Sequence, residues 1–347
     1  MIIIEKAILH ILDFHSGVTV YSDTELPVKD SIETWLLKHI ERAWGSQDAK
    51  PGTFYDDSAF LKQIASYDAG ELSFIDFSKQ IAKTLEDAFT HAEEMPSSDV
   101  IIAAVSIDEV PYLVIIAAVS IDEVPYLVIL RSNSHIGFTH QVNQTENGIQ
   151  NEIINHYSIM PNLSQKIDEF AFVNRKTKEI KTAAKKYTLD GNPVIVLPEV
   201  LLECSLTPSP KEAMKNLSKA AAKVADSFGQ DKVATEAAVK SYVAETMQKG
   251  TELDLQEASK EIFHDNPAMQ QELDTAIRDA GITEPVQMDP EATLKKVSRH
   301  KLKTDTGIEL TIPTDYFDNT EFIEFNNNED GTLSITLKHI SNIVNRG

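Results

Sequence analysis

The sequence is poor in cysteine and in positive charge. Its one cysteine, Cys204, excludes an intramolecular disulfide framework and a cysteine-based zinc site, and is typical of a protein in the reducing cytosol. The 32 lysine and arginine residues are outnumbered by 54 aspartate and glutamate residues, which gives a formal net charge of -22 at pH 7. Such a charge repels nucleic acid at long range. Any contact with DNA must therefore use local basic patches or be made through a partner.

Targeting signals and membrane-spanning segments are missing from the sequence. The N-terminal MIIIEKAILHILDF is apolar, but it lacks a basic n-region and a small-residue cleavage site, so we predict no signal peptide. The most apolar part of the chain is interrupted by Asp-Glu pairs before it reaches the ~20 residues that a membrane span needs. We expect a soluble, cytoplasmic protein without membrane contact.

Catalytic and cofactor motifs are also absent. The sequence has no G-x-x-x-x-G-K-[ST] loop, H-E-x-x-H, G-x-S-x-G or dinucleotide-binding glycine motif. His135 and His140 could imitate a metal pair, but a site needs three or four converging ligands, and we interpret both as polar loop residues. The sequence predicts no catalytic residue, no metal and no cofactor, and favours a binding protein over an enzyme.

A fourteen-residue stretch occurs twice in succession. VIIAAVSIDEVPYL fills residues 100–113 and again residues 114–127. Its apolar, β-branched runs are typical of strands covered on both faces, and we expect neighbouring antiparallel strands, with each proline ending a ladder because it has no N–H to donate. A functional array normally has three or more diverged units. Two identical copies therefore indicate a recent duplication or a sequencing artefact, and we expect one copy to be dispensable.

The remaining patterns predict an α+β fold in three regions. Strand patterns cluster at the N-terminus, the centre and the C-terminus, with helical blocks between them. We expect an α+β domain over 1–205, with an N-terminal hairpin and a mixed or antiparallel central sheet flanked by helices. A helical domain is expected over 206–290 and a small β unit over 291–347. The apolar run at 192–203, NPVIVLPEVLLE, is predicted as another buried strand.

A strong helix start marks the first boundary. Ser209 and Glu212 have the spacing of a capping box, and Pro210 occupies the first helical position. The Pro-rich approach to Lys211 is typical of the polar stretches in which domain boundaries fall.

Three basic clusters stand out against the acidic background, and we consider them as candidate phosphate-binding surfaces. The first contains Arg175, Lys176, Lys178, Lys181, Lys185 and Lys186; the second Lys211, Lys215, Lys219 and Lys223; the third Lys295, Lys296, Arg299, Lys301 and Lys303. A solvated surface is the commoner reason for a charge run. None of the clusters has a set of aromatic residues suited to base stacking, so contacts with DNA would be largely sequence-independent.

Several segments resemble the bacterial 37-kDa nucleoid-associated protein family. They are HKLKTDTGIELTIPTDYF and EDGTLSITLKHISNI near the C-terminus, VPYLVILRSNSHIGFTH in the centre and KAILHIL near the N-terminus. The doubled stretch departs from the family pattern, in which one copy is expected. The resemblance implies a location in the nucleoid and carries no catalytic residues.

Two functions remain open at this point. The first is a nucleoid-associated protein that contacts DNA phosphates directly or attaches through a chromosomal protein partner. The alternative is an acidic cytosolic interaction scaffold that never touches DNA. A homo-oligomer is compatible with both.

Overall fold

The computed structural model describes residues 1–108, 123–146, 148–317, 319–328 and 332–342. The chain divides into two compact units, Met1–Thr207 and Pro208–Gly347. Its fold is α+β, with a large antiparallel sheet, as the sequence predicts.

The first unit is built on an eight-stranded sheet. The strands of this unit are β1 (Ile2–Asp13), β2 (Val18–Val20), β3 (Lys50–Phe54), β4 (Ser98–Asp108), β5 (Glu123–Asn133), β6 (His135–Thr145), β7 (Gly148–Ile159), β8 (Glu169–Asn174), β9 (Ile180–Ala183), β10 (Tyr187–Leu189), β11 (Asn192–Val194) and β12 (Cys204–Leu206). The sheet has the order β12-β3-β9-β8-β5-β4-β1-β2, and all its neighbouring strands are antiparallel. Among the described strands, β6 and β7 pair only with each other, and so do β10 and β11.

Helices cover both faces of this sheet. They are α1 (Asp30–Trp44), α2 (Ala59–Asp68), α3 (Phe74–Thr90) and a π-helix (Val196–Leu202). On one face, Ile102 and Ile129 belong to an apolar cluster with residues of α2, α3 and the π-helix. On the other face, Ile101 and Val128 cluster with residues of α1. The continuous apolar runs of β4 and β5 are therefore explained, because successive side chains enter opposite cores.

The doubled stretch begins and ends inside one hairpin. Strands β4 and β5 pair in unbroken register from Ser98↔Asn133 to Asp108↔Glu123. Residues 109–122, which include the whole of the predicted additional strand at 112–121, lie outside the described residues. Asp108 and Glu123, which flank these fourteen residues in the chain, are themselves cross-strand partners.

The prediction that each proline of the doubled stretch ends a ladder is wrong for Pro125. This residue lies inside β5 and pairs with Ser106 of β4. The carbonyl of Pro125 accepts the backbone N–H of Arg175 at 2.9 Å, so the polar backbone atoms of Pro125 face β8. The pairing of β5 with β8 starts at the next residue, Tyr126. The missing N–H of Pro125 therefore interrupts no hydrogen bond of the ladder.

The apolar run at 192–203 is not a single strand. Only Asn192–Val194 is extended, and the π-helix follows it with Val196, Leu197, Leu201 and Leu202 buried. A short continuous apolar run does not distinguish a buried strand from a buried helix, because both of its faces are covered.

The second unit combines helices with small hairpins. Its helices are α4 (Pro210–Ser227), α5 (Lys232–Lys249), α6 (Leu255–Ile262), α7 (Pro267–Asp279), α8 (Pro290–Val297) and α9 (Thr314–Phe317). Its strands are β13 (Glu252–Leu253), β14 (Val286–Gln287), β15 (Arg299–Lys303), β16 (Glu309–Pro313), β17 (Ile323–Asn327) and β18 (Leu333–Leu337). They pair in sequence order as three antiparallel pairs. The pairs β15–β16 and β17–β18 are hairpins, whereas α6 and α7 lie between β13 and β14 in the chain.

The C-terminal hairpins pack against the helical part of the same unit. Ala237 of α5 clusters with Ile312, Phe317 and Ile323. The division that the sequence suggests at residue 290 stays a prediction. No helix among the described residues is long and apolar enough to cross a membrane.

Candidate nucleic-acid interface

The first basic cluster lies on the hairpin of β8 and β9 and is largely engaged with acceptors in the same unit. Arg175 and Lys178 both bind Asp68 at the end of α2, with N–O distances of 2.6 and 2.9 Å. The Arg175 guanidinium also lies 4.7 Å from the ring centre of Tyr67. These two cations stabilise the turn between the strands and are partly neutralised by the carboxylate.

The rest of this cluster is divided between internal contacts and solvent. Lys181 donates to the carbonyl of Trp44 and lies over the Trp44 ring, 4.8 Å from its centre. Lys185 pairs with Asp168 at 2.5 Å. Lys176 and Lys186 are exposed and, among the described residues, form no ion pair. Of the six cations that the sequence suggests, the described part of the cluster therefore offers two, Lys176 and Lys186, that are exposed and form no ion pair.

The second cluster is a row on α4, which we call the lysine ladder: Lys211, Lys215, Lys219 and Lys223. The predicted capping box is confirmed, because the Ser209 hydroxyl accepts the Glu212 N–H and the Glu212 carboxylate accepts the Ser209 N–H. The helix buries Ala213, Leu217, Ala221, Val224 and Ala225, while all four lysines are exposed.

The geometry of the helix sets the spacing of the ladder. Members four residues apart lie ~6 Å apart along the axis, so the ladder is ~18 Å long and turns by ~120° around the helix. The apolar stripe faces the core of the second unit. The sequence therefore fixes the lysines on the opposite, solvent-facing side of α4.

The acids of α4 are occupied elsewhere. The helix contains only Glu212 and Asp226, at its two ends. Glu212 serves the cap, and Asp226 pairs with Lys232 at 2.8 Å. Within the described part of the chain, Lys215, Lys219 and Lys223 form no ion pair. This is the longest ordered row of unneutralised cations among the three clusters.

A cleft of about 510 Å³ adjoins the C-terminal end of the ladder. It lies between α4 and α7, and Lys223 lines it together with Glu272 and Asp279. The two carboxylates oppose a phosphate at this end. The Lys223 end is therefore the least favourable part of the ladder for an anion.

The third cluster spans α8 and β15. Lys295 pairs with Glu291 at 2.6 Å, which raises the pKa of Lys295, and Lys303 pairs with Glu309 at 3.0 Å. Its other members are exposed and form no ion pair within the described ranges: Lys296, Arg299 and Lys301. Residues 299, 301 and 303 alternate with buried or half-buried ones, so they share the outer face of β15.

His300 adds no charge to this face. Its ring stacks on Phe317 with 3.9 Å between ring centres. Burial and the nearby Lys240 lower the pKa of His300 to about 4, so the imidazole is neutral at pH 7. The cationic surface therefore consists of Lys296, Arg299 and Lys301.

The structure does not assemble a metal centre from the described residues. His135 Nε2 lies 4.0 Å from Asp168 Oδ2, whereas His140 lies on the exposed face of β6. No group of three histidine, cysteine, aspartate or glutamate residues in the described ranges could hold a metal ion.

Sequence reasoning missed the ribbon of β6 and β7. Its signal was present, because polar and apolar residues alternate on both sides of an Asn-Gly pair at 147–148, which is a common hairpin turn.

Comparison with known proteins gives one finding. A family model described as nucleoid-associated protein YejK matches residues 8–344, nearly the whole chain. No match is found among curated proteins.

Proposed function

Because this chain belongs to the nucleoid-associated protein YejK family, we propose that it binds chromosomal DNA directly, through phosphate contacts of the lysine ladder. The family supports the nucleoid-associated role, and with it a location in the nucleoid of the cytoplasm. The ladder is the single observation that favours direct contact over attachment through a partner.

The ladder suits a phosphate backbone for two physical reasons. Duplex DNA carries one charge per ~1.7 Å of axis, so the ~12 Å from Lys215 to Lys223 can meet several phosphates at once. Lysine binds phosphate as a point charge without a fixed geometry, which supports binding to any sequence. Lys296, Arg299 and Lys301 are the secondary contacts of this proposal.

The net charge of -22 favours a second candidate function. An acidic surface repels DNA and attracts basic partners, so the chain would attach to the nucleoid through a chromosomal protein. The two functions differ in whether the purified protein binds DNA at low salt.

Fluorescence anisotropy with labelled duplexes of unrelated sequence tests the proposal across a salt series. Replacing Lys215, Lys219 and Lys223 by glutamine should weaken binding to every sequence alike. The slope of log affinity against log salt should flatten by roughly 0.9 for each phosphate that the variant no longer neutralises. The matched control replaces three exposed lysines outside the clusters: Lys38, Lys166 and Lys249.

The outcomes separate the candidates. If the ladder variant and the control behave alike, the ladder does not bind the DNA. Glutamine at Lys295, Lys296, Arg299, Lys301 and Lys303 then asks whether the third cluster carries the binding. If the parent protein binds no DNA even at low salt but still sediments with chromosomes in a lysate, attachment through a partner replaces direct contact.

A further inference from the structure

The ribbon of β6 and β7 has one face that is apolar and uncovered. The two strands pair from His135↔Ile159 to Thr145↔Gly148 and pair with no other described strand. Eleven residues of β6 at ~3.4 Å each give a ribbon ~37 Å long. An isolated two-stranded hairpin is marginally stable in water, so such a ribbon gains most of its stability from whatever covers it.

The register places the apolar side chains of one face at diagonal positions. Residues paired across the strands share a face, and the pairs Phe138↔Asn155, His140↔Ile153, Val142↔Asn151 and Gln144↔Ile149 each join one apolar and one polar residue. Diagonal neighbours on a face are within reach of long side chains. The apolar residues of the face that contains Phe138 are 61 to 80 % exposed: Ile136, Phe138, Val142, Ile149 and Ile153. The opposite face carries Thr139, Gln141, Asn143, Gln150 and Glu152, with Ile154 as its one apolar member among the described side chains. Five of the six described apolar side chains of the ribbon therefore share one face.

The patch is large for a surface without a function. Each such side chain exposes on the order of 100 Å², which gives roughly 500 Å² for the five. Patches of this size are at the upper end of what a monomer exposes and are often interaction sites. Two copies of the patch facing each other would bury about 1,000 Å², the smallest area expected of a biological interface.

The charges on the ribbon exclude the other obvious occupant, DNA. Residues 135–159 contain no lysine or arginine and two acids, Glu146 and Glu152. A DNA-contacting ribbon needs cations for the phosphates. A second copy of the same face brings apolar and amide side chains together and, apart from His140, no ionisable group. Two chains of net charge -22 would thus meet at a surface that carries little charge.

We propose that this face is a homodimer interface, in which two copies of the chain pack their ribbons face to face through Phe138, Ile149 and Ile153. The contact is isologous, so one patch serves both copies, and the sheets lie ~10 Å apart. The proposal is independent of DNA binding by the ladder. Because the rest of the two chains is acidic, salt should strengthen the dimer, whereas salt weakens DNA binding.

Analytical ultracentrifugation of the full chain over a range of protein concentration and salt tests the interface. The parent should be dimeric. Replacing Phe138, Ile149 and Ile153 by threonine puts a β-branched residue with high strand propensity at each position but removes three apolar side chains per copy. The replacement should weaken dimerisation by about a hundredfold or more. The matched control changes the other face: Thr139→Ser, Gln141→Thr and Gln150→Thr.

A second measurement does not depend on the threonine variant being folded. In the parent background, Ile153→Cys should be linked into a covalent dimer by a short bis-maleimide, while Gln141→Cys on the opposite face should not. Cys204 is buried and gives little background. The proposal is overturned if the parent is monomeric throughout, if both faces respond alike, or if the apolar variant loses DNA binding without a change in mass.

Discussion

Removing the buried cation Arg131 should destabilise the first unit more than removing any surface cation. Arg131 and Glu169 are paired across β5 and β8, and both side chains are fully buried. The guanidinium also donates to the Tyr187 hydroxyl at 2.8 Å and the Pro96 carbonyl at 3.2 Å, and it lies 4.0 Å from the ring centre of Phe89. Burial holds the pKa of Tyr187 well above its usual range, so its phenol stays a donor to Glu169.

The expected magnitude follows from the carboxylate left behind. Breaking a buried ion pair by removing one partner costs about 3–5 kcal/mol, because the remaining charge is uncompensated. Glu169 keeps the Lys185 N–H at 2.7 Å and the Tyr187 hydroxyl at 2.9 Å, so Arg131→Met should cost about 3 kcal/mol. For a unit of this size that corresponds to a fall in Tm of roughly 6–12 °C.

Urea and thermal unfolding of three variants measure the effect. Arg131→Met combined with Glu169→Gln should regain at least about 1 kcal/mol over Arg131→Met alone, because the double variant leaves no buried charge. Arg175→Met is the matched control, since its partly exposed pair with Asp68 should contribute at most about 1 kcal/mol. The reasoning fails if Arg131→Met costs no more than the control, or if the double variant is less stable than the single one.

Three further predictions concern the repeat, the pH dependence and the boundary. Deleting residues 109–122 gives the same sequence as deleting 114–127, and it should leave the urea midpoint of unfolding unchanged or higher. If the deleted protein is insoluble, or loses a partner that the parent binds, the repeat is functional. Burial and Lys79 lower the pKa of His10 to about 4, and His10 Nδ1 accepts the Ser22 N–H. Between pH ~6.5 and ~4 the unfolded chain therefore binds more protons than the folded chain, and the free energy of unfolding should fall as the pH is lowered through this range. In the His10→Gln variant the fall should be less steep if His10 is responsible. Limited proteolysis should cut within 206–211 and leave a stable N-terminal fragment; uniform resistance there would argue against the boundary.

The sequence by itself determined the features whose causes are local. The start of α4 follows from Ser209, Pro210 and Glu212, which act within one turn, and the ladder follows from four-residue spacing on the same helix. The strands β4 and β5 follow from their continuous apolar runs. In each case the pattern that indicates the element lies within one short segment of the sequence, so the segment is sufficient to predict the element.

Tertiary structure decided what depends on residues far apart in the chain. Asp68 lies 107 positions from Arg175, so nothing near the first basic cluster revealed that a carboxylate neutralises it. The π-helix at Val196–Leu202 and the place of Pro125 inside a ladder likewise depend on what packs beside them. The ribbon of β6 and β7 is a further example. Its alternation of polar and apolar residues is visible in the sequence, but whether its apolar side chains are covered depends on the elements that surround the strands and not on the strands themselves.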